Sequence, residues 1–320
     1  MRYVVINVCW GQEYIRLLTD YSMPATLAPG NLPYMAAHGE VLYRLYIAPD
    51  DFPALQASPA FQLLQKIVQV QVNVKFLLHI QDVYETSFQA IREAIAEFAD
   101  GENRLIFISP NLLFSDGSFK RAVQAAENGF RALGMAGPMT YRLNEFLQAQ
   151  GKVPVSWPLS ACTINAWALK FNDDYTSDNL WRNDGVADFP AIPFWRVGNE
   201  GFIYHLLLPH CFMAWPRKDT PPMTGAIDWY LQTVCKDASE CDMELDSDNL
   251  NWLTSRRARV SPFHANTNPI TYTRGFIKRF APVLRELFKR SIRAHAGEMR
   301  EDLWAPVERE ANAVIEEVCR

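Results

Sequence analysis

Apolar positions along the chain fall into two periods. Runs dominated by apolar, β-branched and aromatic residues occur at residues 3–8 (YVVINV), 41–47, 72–78, 104–108 and 130–135. Each run is bounded by turn residues, which predicts strands buried on both sides. Between them the apolar residues recur every third or fourth position. Gln12 to Tyr21 predicts a short helix with Tyr14, Ile15 and Leu18 on one face, followed by a loop from Met23 to Leu32 that carries Pro24, Pro29, Gly30 and Asn31. Ala48-Pro49-Asp50-Asp51 stops the second strand, and Ser58 or Pro59 opens a helix to about Val68. Tyr84 to Ala99 places Phe88, Ile91, Ile95 and Phe98 on one stripe, with Gly101 just beyond. Ser118 is positioned to cap a helix to Glu127 that Asn128-Gly129 closes. The alternation β-α-β-α-β-α-β predicts an α/β fold: a Rossmann-like, mostly parallel sheet with helices on both faces.

Beyond residue 140 the pattern loosens. Tyr141 to Gln150 and Trp157 to Lys170 read as helical, and residues 172–200, rich in Asn, Asp, Pro and Trp, as a long ordered loop. Residues 201–216 are apolar with two histidines, 217–226 are a Pro/Thr/Gly loop, and Ile227 to Val234 is helical. Asp237 to Asn249 is acidic. Residues 273–293 predict one amphipathic helix, with Phe276, Ile277, Phe280, Val283, Leu284, Leu287, Phe288 and Ile292 on a stripe and basic residues around the rest. A last helix, interrupted near Pro306, runs to the end. The chain thus divides into a Rossmann-like half (1–140), a looser half (141–268) and C-terminal amphipathic helices (269–320).

Composition narrows the classes. A chain of 320 residues, 49% hydrophobic, is long enough for a large core. The formal charge of −5 argues against a nucleic-acid binder, which would carry a basic stripe. No apolar run approaches the ~20 residues that span a bilayer. No charged leader and cleavage site precede Tyr3, and the six cysteines contain no CxxC pair, so the chain reads as a cytoplasmic protein with reduced thiols. Cys235 and Cys241 are the pair whose spacing permits a bridge. There is no GxGxxG after the first strand, no GxxxxGKS and no GxSxG, which disfavours a dinucleotide fold, a P-loop enzyme and an α/β-hydrolase.

The chain is organised around 104–119, RLIFISPNLLFSDGSF, an apolar strand that opens through a polar loop into a helix. Ligands in open α/β sheets sit at the carboxyl ends of strands, which directs attention to Asn111, Ser115 and Asp116. The loops after strands one and two add Trp10, Gly11, Asn31, Asp50 and Asp51: an aromatic face, a close backbone approach and carboxylates for a base or ribose. Asp246-Ser247-Asp248 reads either as a pair of oxygen ligands for Mg²⁺ or Mn²⁺ or as a solvated acidic turn. His205 and His210 read either as metal or phosphate contacts or as hydrogen-bonded core residues. Asp228 opens a helix, as a cap or as a catalytic carboxylate. The basic stretch 273–293 packs on the body or on a second copy in a homo-oligomer, or lies on an anionic membrane as a peripheral contact at the inner membrane.

The stretches VINVCWGQEYI, MPATLAPGNLPYM, LYRLYIAPDD, FISPNLLFSDGSF and GFIYHLLLPHCFMAWP resemble a poorly characterised group of bacterial proteins akin to GT-A-type glycosyltransferases, over about residues 1–250. The resemblance implies a GT-A-like fold and transfer of a sugar from a nucleotide-sugar donor to a hydroxyl of a glycan, lipid-linked or protein acceptor, in surface glycan or glycoconjugate synthesis. It also implies a metal-binding DxD after the fourth strand. Here that place reads Ser109-Pro110-Asn111, so either Asp116 takes the role, Asp246 and Asp248 supply it with His205, or no metal is used. Asp116, Asp228 and His210 are the candidates for general base. The competing readings are a metal-dependent hydrolase built on His205, His210, Asp246 and Asp248, and a non-catalytic sugar-nucleotide-binding protein.

Overall fold

The computed structural model describes residues 1–74, 83–135, 137, 147, 150–170, 180–187, 190–243, 252–254 and 263–320. Among them, seven strands form the main sheet: β1 (Arg2–Cys9), β2 (Glu40–Ile47), β3 (Gln69–Asn73), β4 (Asn103–Ile108), β6 (Ala132–Met135), β10 (His210–Ala214) and β11 (Cys241–Met243), in the order β11-β6-β10-β4-β1-β2-β3. All run parallel except β10, which is antiparallel to both of its neighbours, β4 and β6. The protein is therefore a mixed α/β fold on a mostly parallel sheet.

The apolar runs follow from coverage of both faces. Along β1, Val4 and Ile6 enter one core cluster and Tyr3, Val5 and Cys9 the other. The second of these lies under α3 (Leu32–His38), α5 (Pro59–Ile67) and α7 (Ser118–Glu127), through residues such as Met35, Phe61 and Phe119. The first lies under α6 (Val83–Phe98) and the helix Ile227–Val234, and continues into the C-terminal third through Leu284, Phe288, Trp304 and Ile315. Strands β10 and β11, from the later part of the chain, complete the sheet begun by residues 1–135.

Several local expectations are corrected. The first helix does not stop at Tyr21. It continues from Gln12–Leu17 through a π turn at Leu18–Ser22 into Met23–Thr26. Pro24 is tolerated because it falls in the first turn of that last segment. Ile15, Leu17 and Leu18 are buried while Tyr14 is exposed. The third strand is described only to Asn73, and residues 75–78 of the expected run lie outside the described residues. So does most of the expected helix 141–150 and much of the loop 172–200, within which Gly185–Ala187 and Phe194–Val197 are strands.

Residues 273–293 form no single helix. They divide into Pro269–Ile277, Pro282–Phe288 and the strand Ser291–His295. Pro282 holds Ala281 out of the helical region, at ψ 151°, and so breaks the pattern. The whole apolar stripe, from Phe276 to Ile292, is buried in the core. The exposed apolar helix face on which membrane contact was expected is thus absent from this segment. No described helix is long and apolar enough to cross a membrane. Cys235 and Cys241 are free thiols.

Ser291–His295 pairs antiparallel with Gly201–His205, which pairs with Phe194–Val197 in a small three-stranded sheet. This sheet holds His205. Its ring is fully buried, Nδ1 lies 2.9 Å from the Phe288 carbonyl, and Trp195 and Phe288 meet it edge-on. His205 is a core histidine rather than a metal ligand of the rim, and burial lowers its pKa to about 4. The unfolded chain, with an ordinary histidine pKa near ~6.5, takes up this proton first. Stability from His205 is therefore complete above about pH 6.5 and is lost as pH falls toward about 4. Between pH 7.5 and 5 the wild type should lose about 2 kcal/mol more than a His205→Leu variant in urea titrations. Parallel pH profiles for the two proteins would refute the assignment.

Candidate functional site

Strands β2 and β3 extend the sheet on one side of β1, and β4 on the other. The carboxyl ends of β1 and β4 therefore flank a topological switch point, where open α/β sheets place ligands. Three groups of sequence-predicted residues meet this rim.

The first group ties the ends of β1 and β2. Gly11 adopts φ 87°, which glycine alone takes without strain, and its N–H donates to Asp51 Oδ2 at 2.5 Å. Asp51, not Asp50, makes this link; Asp51 is buried and Asp50 exposed. Helix capping, the expected use of Asp51, is not made by its side chain. Under this tie the sheet is polar. Asn7 Nδ2 donates to Tyr43 Oη at 2.8 Å, and burial together with the nearby Asp51 carboxylate pushes the Cys9 thiol well up. Trp10 is half-buried beside Gly11.

The second group closes the loop after β4. Ser109 Oγ donates to Asn111 Oδ1 at 2.5 Å, and Ser22, from the π turn, places Oγ 3.5 Å from the Ser109 carbonyl. Leu112–Phe114 then pairs with Trp252–Thr254 as a separate two-stranded ribbon. Next comes the Asp116-Gly117 turn. Asp116 Oδ1 accepts the Gly30 N–H at 2.6 Å, while its own N–H goes to the Leu159 carbonyl at 2.6 Å. Asn31 is completely buried. Its Nδ2 donates to the carbonyls of Ala25 and Ser115 at 2.9 and 3.0 Å, and its Oδ1 accepts the N–H groups of Gly117 and Phe119 at 3.2 and 3.1 Å. Asn31 thus caps α7 from a distant loop, and its amide is occupied by the protein rather than turned to a ligand. Ser118 does not cap: Gly117, at φ 104°, occupies that position and Ser118 Oγ donates to the Ser115 carbonyl.

The third group comes from the reversed strand. Because β10 runs against β4 and β6, its first residue, His210, emerges at their carboxyl ends, opposite Met135. His210 Nδ1 lies 3.0 Å from Asp228 Oδ1 and Nε2 lies 3.4 Å from the Phe107 carbonyl. The Asp228 side chain is 38% exposed and that of His210 16%. Two candidates eighteen residues apart are therefore one pair at the rim.

The remaining candidates do not converge. No hydrogen bond or ion pair joins Trp10, Asp50 and Asp116 to one another among the described residues, and His205 lies in the other sheet. Asp246 and Asp248 lie outside the described residues. Among the described residues, no three His, Cys, Asp or Glu side chains gather as a metal site. In the loop after β4 the Asn111 oxygen is already held by Ser109, and Asp116 Oδ1 by the Gly30 N–H. Sequence reasoning missed Ser22 and the link from Asp51 to Gly11, whose partners lie 87 and 40 positions away with no periodic signal to join them. No family model matches the chain, and no curated protein matches it.

Asn31→Ala would strand the buried N–H groups of Gly117 and Phe119 and should lower unfolding free energy by about 3 kcal/mol, since each unsatisfied buried group costs ~1–3 kcal/mol. Gly30→Ala should also destabilise, because its Cβ would meet Asp116 Oδ1 at 2.7 Å and Gly117 N at 2.8 Å. A loss under about 1 kcal/mol for Asn31→Ala in denaturant titration would remove it as the hub of this loop cluster.

Proposed function

We propose that the protein is a glycosyltransferase, on a GT-A-type fold, moving a sugar from a nucleotide-sugar donor to an acceptor hydroxyl in bacterial glycan or glycoconjugate synthesis. The observation that carries this reading is the His210–Asp228 pair at the carboxyl rim of β4. A parallel sheet with a switch-point rim suits a nucleotide, and a carboxylate–imidazole pair from the later part of the chain suits an acceptor beside it.

Asp228 is assigned the general base. It is the more exposed partner, its Oδ1 is held by His210, and its Oδ2 has no partner among the described residues. Asp228 Oδ2 takes the acceptor proton as the acceptor oxygen attacks the anomeric carbon; the bond from that carbon to the diphosphate oxygen breaks, and the nucleoside diphosphate leaves with the electron pair. His210 orients the carboxylate through the 3.0 Å contact. The Gly11 backbone, held open by Asp51, and the face of Trp10 border the donor side of the rim. No step is assigned to Mn²⁺ or Mg²⁺.

Asn111, standing where the resemblance implies an acid, favours a second reading, a sugar-nucleotide-binding protein without turnover. Assays with UDP-, GDP-, CDP- and CMP-sugars, with and without Mn²⁺, separate the two: donor binding without transfer or donor hydrolysis supports the second. For the first, Asp228→Asn should reduce turnover by ~10²–10⁴-fold with an unchanged melting temperature, the range for losing a general base. His210→Gln should cost less, since the carboxylate remains. Undiminished turnover in Asp228→Asn would overturn the assignment.

A further inference from the structure

A cavity of about 580 Å³ opens away from the His210–Asp228 pair. Its walls are the stretch Arg16–Pro24, the residues 54–60 after β2, and the segment Gly151–Val155. The volume falls within the ~300–1,000 Å³ typical of small-molecule sites. Neither Trp10, Asp116, His210 nor Asp228 lines it, so the glycosyl-transfer reading does not require it.

The lining has a consistent chemistry. Arg16 and Lys152 both line it, and neither forms an ion pair with a described residue. One carboxylate, Asp20, opposes these two cations, and its Oδ1 already accepts the Thr19 hydroxyl at 3.1 Å. Tyr21, Ala57 and Val153 supply apolar surface. Two cations bordering one partly apolar cavity suit an anionic group on a compact body: a guanidinium binds phosphate oxygens in a fork and an ammonium as a point charge.

We infer that this cavity is a binding site for a phosphate-bearing small molecule. Arg16 and Lys152 hold the phosphate, Tyr21 and Val153 contact the body, and Asp20 accepts a hydroxyl of the ligand.

The test is isothermal titration calorimetry on the full chain with three probes: pyrophosphate, UDP and uridine. Pyrophosphate and UDP are expected to bind, with uridine at least about tenfold weaker, since it lacks the charge the cations recognise. Binding of pyrophosphate alone identifies a free phosphate compound as the ligand, and binding of UDP with higher affinity a nucleotide. The double variant Arg16→Gln/Lys152→Gln should weaken pyrophosphate binding at least about tenfold. Ala57→Trp, which fills the space and keeps the charges, should do the same. All three positions are exposed, and thermal unfolding by circular dichroism checks that each variant folds. Pyrophosphate binding that survives both variants would overturn the inference. Failure of all three probes to bind would also overturn it. Loss of probe binding in these variants, with transfer activity absent from the wild type, would support the cavity and defeat only the glycosyl-transfer reading.

Discussion

The reversed strand is the constraint on which the rest depends. β4 has two sides, and its backbone donors and acceptors on the side away from β1 need partners because the strand is buried. β6 follows β4 in sequence and could have taken that place. Instead the later strand β10 enters between them, antiparallel to both. An antiparallel insertion brings the start of the inserted strand to the carboxyl ends of its neighbours. A residue some 100 positions from Phe107 thereby comes to rest against its carbonyl. In a wholly parallel sheet His210 would lie at the opposite edge, remote from the switch point.

Around this rim the polar side chains serve two purposes that the fold keeps apart. Asn31 and Asp51 are spent on backbone groups, and Ser109 on the side chain of Asn111. A buried loop needs such partners, since an unsatisfied backbone group is costly. Asp228 and Asp50, by contrast, keep carboxylate surface open to solvent. Rigid loops with a few exposed acids form a rim suited to chemistry, because the scaffold rather than the ligand supplies the order.

The two core clusters have different reach. One is contained between the sheet and the helices α3, α5 and α7. The other extends past α6 through the three-stranded sheet to the last helix, so that Val4 of the first strand and Val318 near the end share one apolar body. Burial of the stripe from Phe276 to Ile292 belongs to this second cluster. Its basic residues partly answer to local acids: Arg293 meets Glu301 and Glu308, and this raises its pKa while holding that of Glu308 down. The basic, apolar character of the segment reflects docking of two short helices and a strand, not a surface helix.

What the sequence by itself determined was local. Doubly buried strands declare themselves as apolar runs, and the helix 227–234 and the helix after Gly117 declare themselves by period and by turn residues. Period alone could not tell one long helix from two helices and a strand at 269–295, because the strand's alternation there mimics a continuing stripe and only pairing with Gly201–His205 distinguishes them. Nor could it separate His205 from His210. Both sit in one apolar stretch five residues apart, yet one ends a strand of the small sheet and the other begins a strand of the main sheet. Tertiary structure decided which histidine is sealed in the core and which meets a carboxylate, since the partners of each, Phe288 and Asp228, are fixed by strand pairing and chain return rather than by sequence spacing.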